Sequence, residues 1–495
     1  MSNLSSMKTR FLLPALGTAL SCLSVAVAQP ALTIYNQNFA VVRETVPLDL
    51  KAGETPVSFA GVTTALEPDS VVLRDPSGRV ALSILEQSYR ADTVSQGLML
   101  SLFEGKELDF LVRDQDAKEY TVKGRVLRSG YVPGALHRGM PSEAPLIEVD
   151  GKLRFSLPGE PVFPALGNDA ILKPTLSWTL GSAAAAKLNA ELSYVTGGLR
   201  WSASYNLVAP EKGDTLDLIG WVTIDNQSGK TFENAAIKLM AGDVNKVQPE
   251  REVREAMMMR AAAMDMAAPQ VTEKAFDEFH LYSLPRATTL RDREVKQVEF
   301  LRATGVKAKT FYVYNGAEPG PQFRGWNQEM IRNNPDYGTQ SNPKVWVMRE
   351  FENSEANRLG VPLPKGRTRF YRRDDADGRL EFTGENTLDH TAKNETVRLY
   401  TGDAFDLVGE RRRTDFQMSG RNDFMEEAFE IKVRNRKTEP VEVRIAERLY
   451  RGVNWTISNP SHEFVKTDAQ NVEFRVTVPA DGETVVTYRV RYTWR

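Results

Sequence analysis

The chain has 495 residues, 26% charged and 41% hydrophobic, with 63 Lys plus Arg against 65 Asp plus Glu and a formal net charge of −2. So balanced a composition suits a folded protein rather than a disordered one, and it supplies no chain-wide field to gather nucleic acid or an anionic membrane. The length exceeds the roughly 250–300 residues at which a single core stops growing, so two or three domains are expected.

Lys8 and Arg10 precede an apolar run from Phe11 to Val25 that closes on Ala26-Val27-Ala28. This is the layout of a secretory signal peptide over 1–28, cleaved before Gln29, and it predicts a periplasmic or extracellular destination. The one cysteine, Cys22, lies within it, so the exported chain would carry no thiol for a disulfide or a Cys-ligated metal. A lipid anchor at Cys22 is the competing reading. Ala19-Leu20-Ser21 fits the required small-residue box poorly, and the apolar run continues past the cysteine. No later segment nears the roughly 18 apolar residues of a membrane-spanning helix.

Period-two alternation dominates the rest and predicts an all-β protein of two or three antiparallel, sandwich-like domains. Leu32–Tyr35, Phe39–Leu48, Val57–Phe59, Val71–Arg74, Val80–Leu85, Leu98–Phe103, Leu108–Val112 and Tyr120–Leu127 read as strands of an N-terminal β domain over 29–128. Residues 129–170, rich in Gly and Pro, read as a linker or packed excursion with one hairpin around Asp150-Gly151. A central β domain with long loops is expected over 171–425. There Trp201, Ala203, Tyr205 and Leu207 share one strand face, with Ser202, Ser204 and Asn206 opposite. Within it, 249–275 is a helical or Met-rich insertion and 315–343 a second long loop dense in Gly, Pro and Asn. A C-terminal sandwich over 426–495 is expected to contain two hairpins. One pairs Phe429–Val433 with Val441–Ile445, the other Val472–Val478 with Val486–Trp494. A closed membrane barrel would need longer alternating strands and a different final residue than Arg495.

Candidate chemistry is sparse. His137, His280, His390 and His462 are scattered without metal or triad spacing. Ser228-Gly229-Lys230-Thr231 resembles the end of a phosphate loop, but Ile224 stands where its first glycine should be, so a β-turn is expected. Asp374, Asp375 and Asp377 with Glu385 at the twelfth position offer a divalent-cation site, although Asp-Gly at 377–378 reads more strongly as a hairpin turn. Met257-Met258-Met259 with Met264 and Met266 could hold Cu(I) through thioethers, or simply adapt to a partner. Arg411-Arg412-Arg413 and Arg372-Arg373 read as solvated strand faces or hairpin ends, otherwise as contacts for an anionic envelope polymer. Trp326, Tyr337 and Trp346 near the long loop are candidates for glycan stacking. Glu350, Glu352 and Glu355 are candidates for a hydrolase's paired acids.

Several spaced stretches resemble a bacterial family of exported proteins known as domain of unknown function 4139, which includes mucoidy-inhibitor-like proteins. They are Trp201 to Leu207, Val222 to Asn234, Leu239 to Gly242, Tyr282 to Pro285, Asn357 to Gly366, Gly384 to Thr391 and Leu399 to Leu407. The similarity runs over about 190–495, and Leu32 to Glu44 resembles the start of many members. Some relatives carry a coiled coil between the two parts, whereas this sequence has no sustained heptads. The resemblance implies no catalytic residue and no cofactor. The preferred reading is a non-enzymatic exported scaffold that meets an envelope protein or polysaccharide. A glycan-binding protein and a carboxylate-pair hydrolase are the alternatives.

Overall fold

The computed structural model describes residues 29–113, 116–132, 143–164, 170–242, 272–276, 279–420 and 423–494. The expected signal peptide with Cys22, His137 and the methionines 257–259, 264 and 266 lie outside the described residues.

Strands β1 (Ala31–Tyr35), β2 (Phe39–Leu50), β3 (Gly53–Ala60), β4 (Val72–Arg74) and β5 (Ser83–Arg90) come first. Helix α1 (Gln96–Leu102), β6 (Glu107–Arg113), β7 (Glu119–Arg128), β8 (Leu146–Val149), β9 (Lys152–Arg154) and β10 (Glu160–Val162) follow. Next are β11 (Thr175–Ser182), β12 (Ala186–Gly197), β13 (Leu199–Ala209), β14 (Thr215–Asn226), β15 (Phe232–Ala241), β16 (Thr272–Phe276), β17 (Phe279–Ser283), β18 (Thr288–Leu290) and β19 (Glu294–Lys307). Then come β20 (Lys309–Tyr314), helix α2 (Gln328–Asn333), β21 (Lys344–Glu352), β22 (Gly366–Arg373), β23 (Leu380–Leu388) and β24 (Thr396–Met418). The chain closes with β25 (Phe424–Asn435), β26 (Val441–Arg448), β27 (Trp455–Ser458), β28 (Phe464–Lys466), β29 (Asn471–Val478) and β30 (Glu483–Thr493). The protein is all-β.

Two sandwich units share one plan. In the first, β1 runs parallel to β15 and antiparallel to β2, and β2 pairs with β12. A corner at Gly198, whose φ of 78° suits glycine, turns β12 into β13. β13 then pairs with β14, β14 with β19, and β15 with β18. In the second, β20 runs parallel to β26 and antiparallel to β21. Strand β24 pairs with β21 through its first half and with β25 through its second. β25 pairs with β30, and β26 with β29. Thus β20, β21, β24, β25, β26, β29 and β30 repeat the pairings of β1, β2, β12–β13, β14, β15, β18 and β19.

Each unit carries an excursion between equivalent strands. In the first it is the β3–β11–β5 sheet. Nested within that is a small antiparallel sheet, ordered β10-β6-β7-β8-β9, around Leu100, Leu108, Phe110, Val126 and Ile147. In the second it is the β22–β23 hairpin, which crosses over and adds to β13 of the first unit in parallel. The expected boundaries at 128, 171 and 426 therefore do not separate the sheets. Strands before residue 60 pair with strands after 174, and the last sheet begins at Lys309.

Three local expectations need correction. Leu98–Phe103 is mostly helix, because Ser95 Oγ accepts from Leu98 N at 3.2 Å and turns Met99 and Leu100 inward. An apolar run this continuous fits either period, and the cap decides it. Neither expected C-terminal hairpin pairs with itself. β25 and β26 are separated by β24, β21 and β20, and β29 and β30 lie near opposite ends of the sheet. The turn at Pro479–Gly482 instead carries the chain across the core, where the Phe474 and Tyr488 rings meet at 5.5 Å.

The largest core fills the first unit, and in it the aromatic side chains do double duty. Trp201 Nε1 donates to Met240 O at 3.0 Å, Tyr205 OH to Pro364 O at 2.5 Å and Tyr282 OH to Pro362 O at 2.9 Å. Buried rings thus keep their polar ends satisfied. Gly366 is glycine because a Cβ there would lie 2.4 Å from Ala203 O.

Candidate functional site

The two units differ in length at one equivalent turn. Between β1 and β2 the first unit needs only Asn36–Asn38, whereas between β20 and β21 the second runs from Asn315 to Pro343. The longer turn starts as a continuation of its hairpin, Ala317 bridging Ser341, and then folds into a loop bearing α2. Asn327 caps that helix, its Oδ1 accepting from Met330 N at 2.9 Å. The architecture does not require such a length, so the extra chain is best explained by use.

Three arginines pin this loop. Arg411 forms a bidentate pair with Glu447, Nε to Oε1 at 2.9 Å and Nη2 to Oε2 at 2.9 Å, while Nη1 donates to Gly338 O at 2.7 Å. Arg451 pairs with Glu427 in the same way, Nη2 to Oε1 at 2.9 Å and Nε to Oε2 at 3.2 Å. Its Nη1 donates to Ile331 O at 2.5 Å and to Asn334 O at 2.6 Å, and its Nη2 to Tyr337 O at 3.1 Å. Arg413 bonds Glu427 and the carbonyl of Pro335. Each carboxylate fixes a guanidinium whose remaining N–H groups satisfy loop carbonyls. The basic run 411–413 is therefore not a solvated face. Strand alternation turns Arg411 and Arg413 inward and leaves only Arg412 outside, against Glu430.

The surroundings show what the pairs do to local electrostatics. Burial pulls the Arg411 guanidinium down, but Glu447 and the Tyr488 ring outweigh it and the net shift is upward. Burial, then Glu447, pushes the Tyr488 phenol far above its ordinary range, and its OH donates to Glu447. Burial, then Glu427, does the same to Tyr492. Burial holds Tyr450 at about 12. Both buried carboxylates are spent on arginines, an arrangement for anchoring rather than for proton transfer.

The pinned loop presents aromatic rings. Trp326 and Tyr337 lie nearly parallel with centroids 6.5 Å apart, Phe323 meets each edge-on at 4.9 and 5.1 Å, and Tyr337 meets Tyr450 at 5.5 Å. Phe323, Trp326 and Tyr337 are half-buried and Met330 is exposed. At the root of the loop a cleft of about 290 Å³ is lined by Asn315, Glu447, Arg448, Tyr450 and Asn471. Two of the three aromatic candidates are thus brought together. Trp346 is not; it packs on Tyr400 along β21.

The other candidates fall elsewhere. Asp374, Asp375 and Asp377 lie in the exposed turn between β22 and β23, where Asp374 Oδ1 accepts from Ala376 N and Asp377 Oδ1 from Arg379 N. Gly378, at φ 74°, closes that turn. Glu385 lies along β23 beside Arg367 and Arg369. Among the described residues no three His, Cys, Asp or Glu converge as metal ligands. Glu350 pairs with Arg398 and Glu355 with Lys393, and Glu352 is exposed at the end of β21. His280, His390 and His462 sit on separate elements, His390 accepting from Lys365 N and His462 meeting Ser461. Ser228–Thr231 is the turn between β14 and β15.

The family described as a domain of unknown function, DUF4139, matches residues 190–495. The chain belongs to the DUF4139 family. No curated protein matches it. The DUF4139 region holds the whole second unit and the pinned loop. Strands β1 and β2, which complete the first unit against β15 and β12, come from before it. Glu427, Glu447 and Arg451 carry no motif in the sequence. The one signal was their position, charged residues on the apolar face of otherwise alternating strands or just beyond one. Among the described residues no helix is long and apolar enough to cross a membrane.

Proposed function

We propose that the chain is an exported, non-enzymatic interaction scaffold, its signal peptide removed after Ala28, that uses the pinned 315–343 loop to hold a protein or polysaccharide partner of the cell envelope. The observation that carries this is the contrast between equivalent turns. Asn36–Asn38 closes one unit, whereas the other extends the same turn and fixes it with two buried ion pairs. Rigid aromatic surface costs little entropy on binding, and hot spots of interfaces are rich in Trp and Tyr. The acids that a hydrolase would need are bonded to arginine or lysine or lie singly on the surface.

Crosslinking and pull-down from the intact envelope fraction tests it. Wild-type protein should recover a defined partner that the Trp326→Ala variant, folded to the same melting temperature, loses. Recovery of the wild-type protein alone and monomeric, or undiminished recovery by the variant, would count against it. A glycan partner is favoured by one feature, the cleft at the loop root, where Tyr450 stands among Asn315, Asn471 and Arg448. Retention on immobilised envelope polysaccharide, lost in Tyr337→Ala, distinguishes that reading from a protein partner.

A further inference from the structure

Four arginines are nine-tenths or more buried among the described residues: Arg349, Arg411, Arg444 and Arg451. Three have carboxylates. Arg411 has Glu447, Arg451 has Glu427, and Arg444 has Glu442 and Glu350 with the Phe311 ring 3.7 Å from its guanidinium. Arg349, 8% exposed on β21, is the exception. No described residue forms an ion pair with it, and its Nη1 is buried without a hydrogen bond. An isolated buried charge costs several kcal/mol after relaxation, so buried charges are ordinarily paired.

The surroundings of Arg349 add to the imbalance. It lies at the seam of the two units, opposite Thr310 on β20 and Leu399 on β24. The joint between the units passes close by, Ala308 N donating to Asp214 O at 2.8 Å. From the β22–β23 hairpin Arg372 reaches the same turn, its Nε donating to Pro210 O at 3.3 Å and its Nη2 to Glu211 O. Burial, then the like charge of Arg372, lowers the affinity of Arg349 for its proton. Asp214, exposed in the same turn, and Tyr312 act in the opposite sense. A guanidinium stays charged in proteins, so it cannot escape by deprotonation.

We propose that Arg349, with Arg372 beside it, forms a binding site for a small oxyanion, a carboxylate or a phosphate, at the seam between the two sandwich units. A planar fork of N–H donors matches either group, and an anion there would pair with the one buried arginine that forms no ion pair with a described residue. The site is separate from the pinned loop and does not rest on the scaffold reading.

Thermal melting of the full exported chain in potassium chloride, phosphate and acetate at one ionic strength tests it. Phosphate, acetate or both should raise the wild-type melting temperature by about 2–4 °C over chloride. A rise in phosphate alone identifies a phosphate-sized ligand, and a rise in both a carboxylate-compatible one. Arg349→Met should melt above wild type in chloride and show no rise. Arg372→Gln, at an exposed position, should show a reduced one. Equal melting in all three salts, or an undiminished rise in either variant, would overturn the proposal. If Arg349→Met does not fold, Arg372→Gln decides alone.

Discussion

Asn226 and Asn435 make the same hydrogen bonds at equivalent corners of the two units. Asn226 Nδ2 donates to Lys230 O, Leu290 O and Arg291 O, while Oδ1 accepts from Ser228 N. Asn435 Nδ2 donates to Glu439 O, Val478 O and Pro479 O, while Oδ1 accepts from Lys437 N. The next amide in each case bonds the strand corner, Gln227 N to Gly198 O and Arg436 N to Asp406 O. Both asparagines are wholly buried. One amide thus ties the crossing between sheets to the turn that brings the chain back, which is why the two units close alike.

Replacing Asn435 should unfasten that crossing. Asn435→Ala leaves three carbonyls without their donor and is expected to cost roughly 2–4 kcal/mol. Asn435→Asp keeps the shape but offers acceptors where donors are needed, so it should cost at least as much. Urea denaturation of both variants checks this, and Asn226→Ala should behave like Asn435→Ala.

Removing one partner of a buried ion pair should free the long loop before it unfolds the protein. Glu427→Gln strands Arg451 and Arg413, with an expected loss of about 3–5 kcal/mol. Exchange of amide hydrogens at 319–339 should accelerate more than in β29 or β30. The double variant Glu427→Leu/Arg451→Met should lose less stability than Glu427→Gln, because only Arg413, 15% exposed, is then left without its carboxylate.

Trp201 combines a buried ring with a bond to Met240 O, and only 4% of it is exposed. Trp201→Ala should cost about 3–5 kcal/mol. Trp201→Phe, which keeps most of the ring and loses the N–H, should cost less. Chemical denaturation curves compare the two.

Alkaline pH should weaken the fold through its tyrosines. Burial raises Tyr450 and Tyr89 to about 12 and pushes Tyr488 and Tyr492 well above the ordinary phenol value. A raised folded value means that the protonated phenol is favoured in the native state. Its contribution is complete below about pH 10, the unfolded value, and is lost as pH climbs through 12. Denaturation midpoints should therefore fall between pH 10 and 12. A flat midpoint over that window would contradict the burial of these rings.

Strand identity was legible from the sequence because alternation is a local property. Val472, Phe474, Val476 and Val478 point inward whatever lies opposite, and so do Trp201, Tyr205 and Leu207. The turn at Asp377-Gly378 was equally local, and the structure closes a hairpin there. Trp326 and Tyr337 were picked out as aromatics on a polar loop, but nothing along the chain placed them on one another.

What alternation leaves open is where a turn sends the chain. Pro479–Gly482 could return a strand beside its predecessor or throw it across a core, and the inward residues are the same in both cases. Burial opposite β29 and the bonds of Asn435 settle the second. Strand period likewise states that Arg411 and Glu447 face inward but not that they meet, since a residue on β24 learns its neighbour on β26 only through an intervening pair of strands. The duplication of the units, the pinned loop and the lone buried Arg349 all arise from such long-range pairing. Side-chain direction is set by the backbone of each strand, whereas the partner a side chain finds is set by the whole sheet.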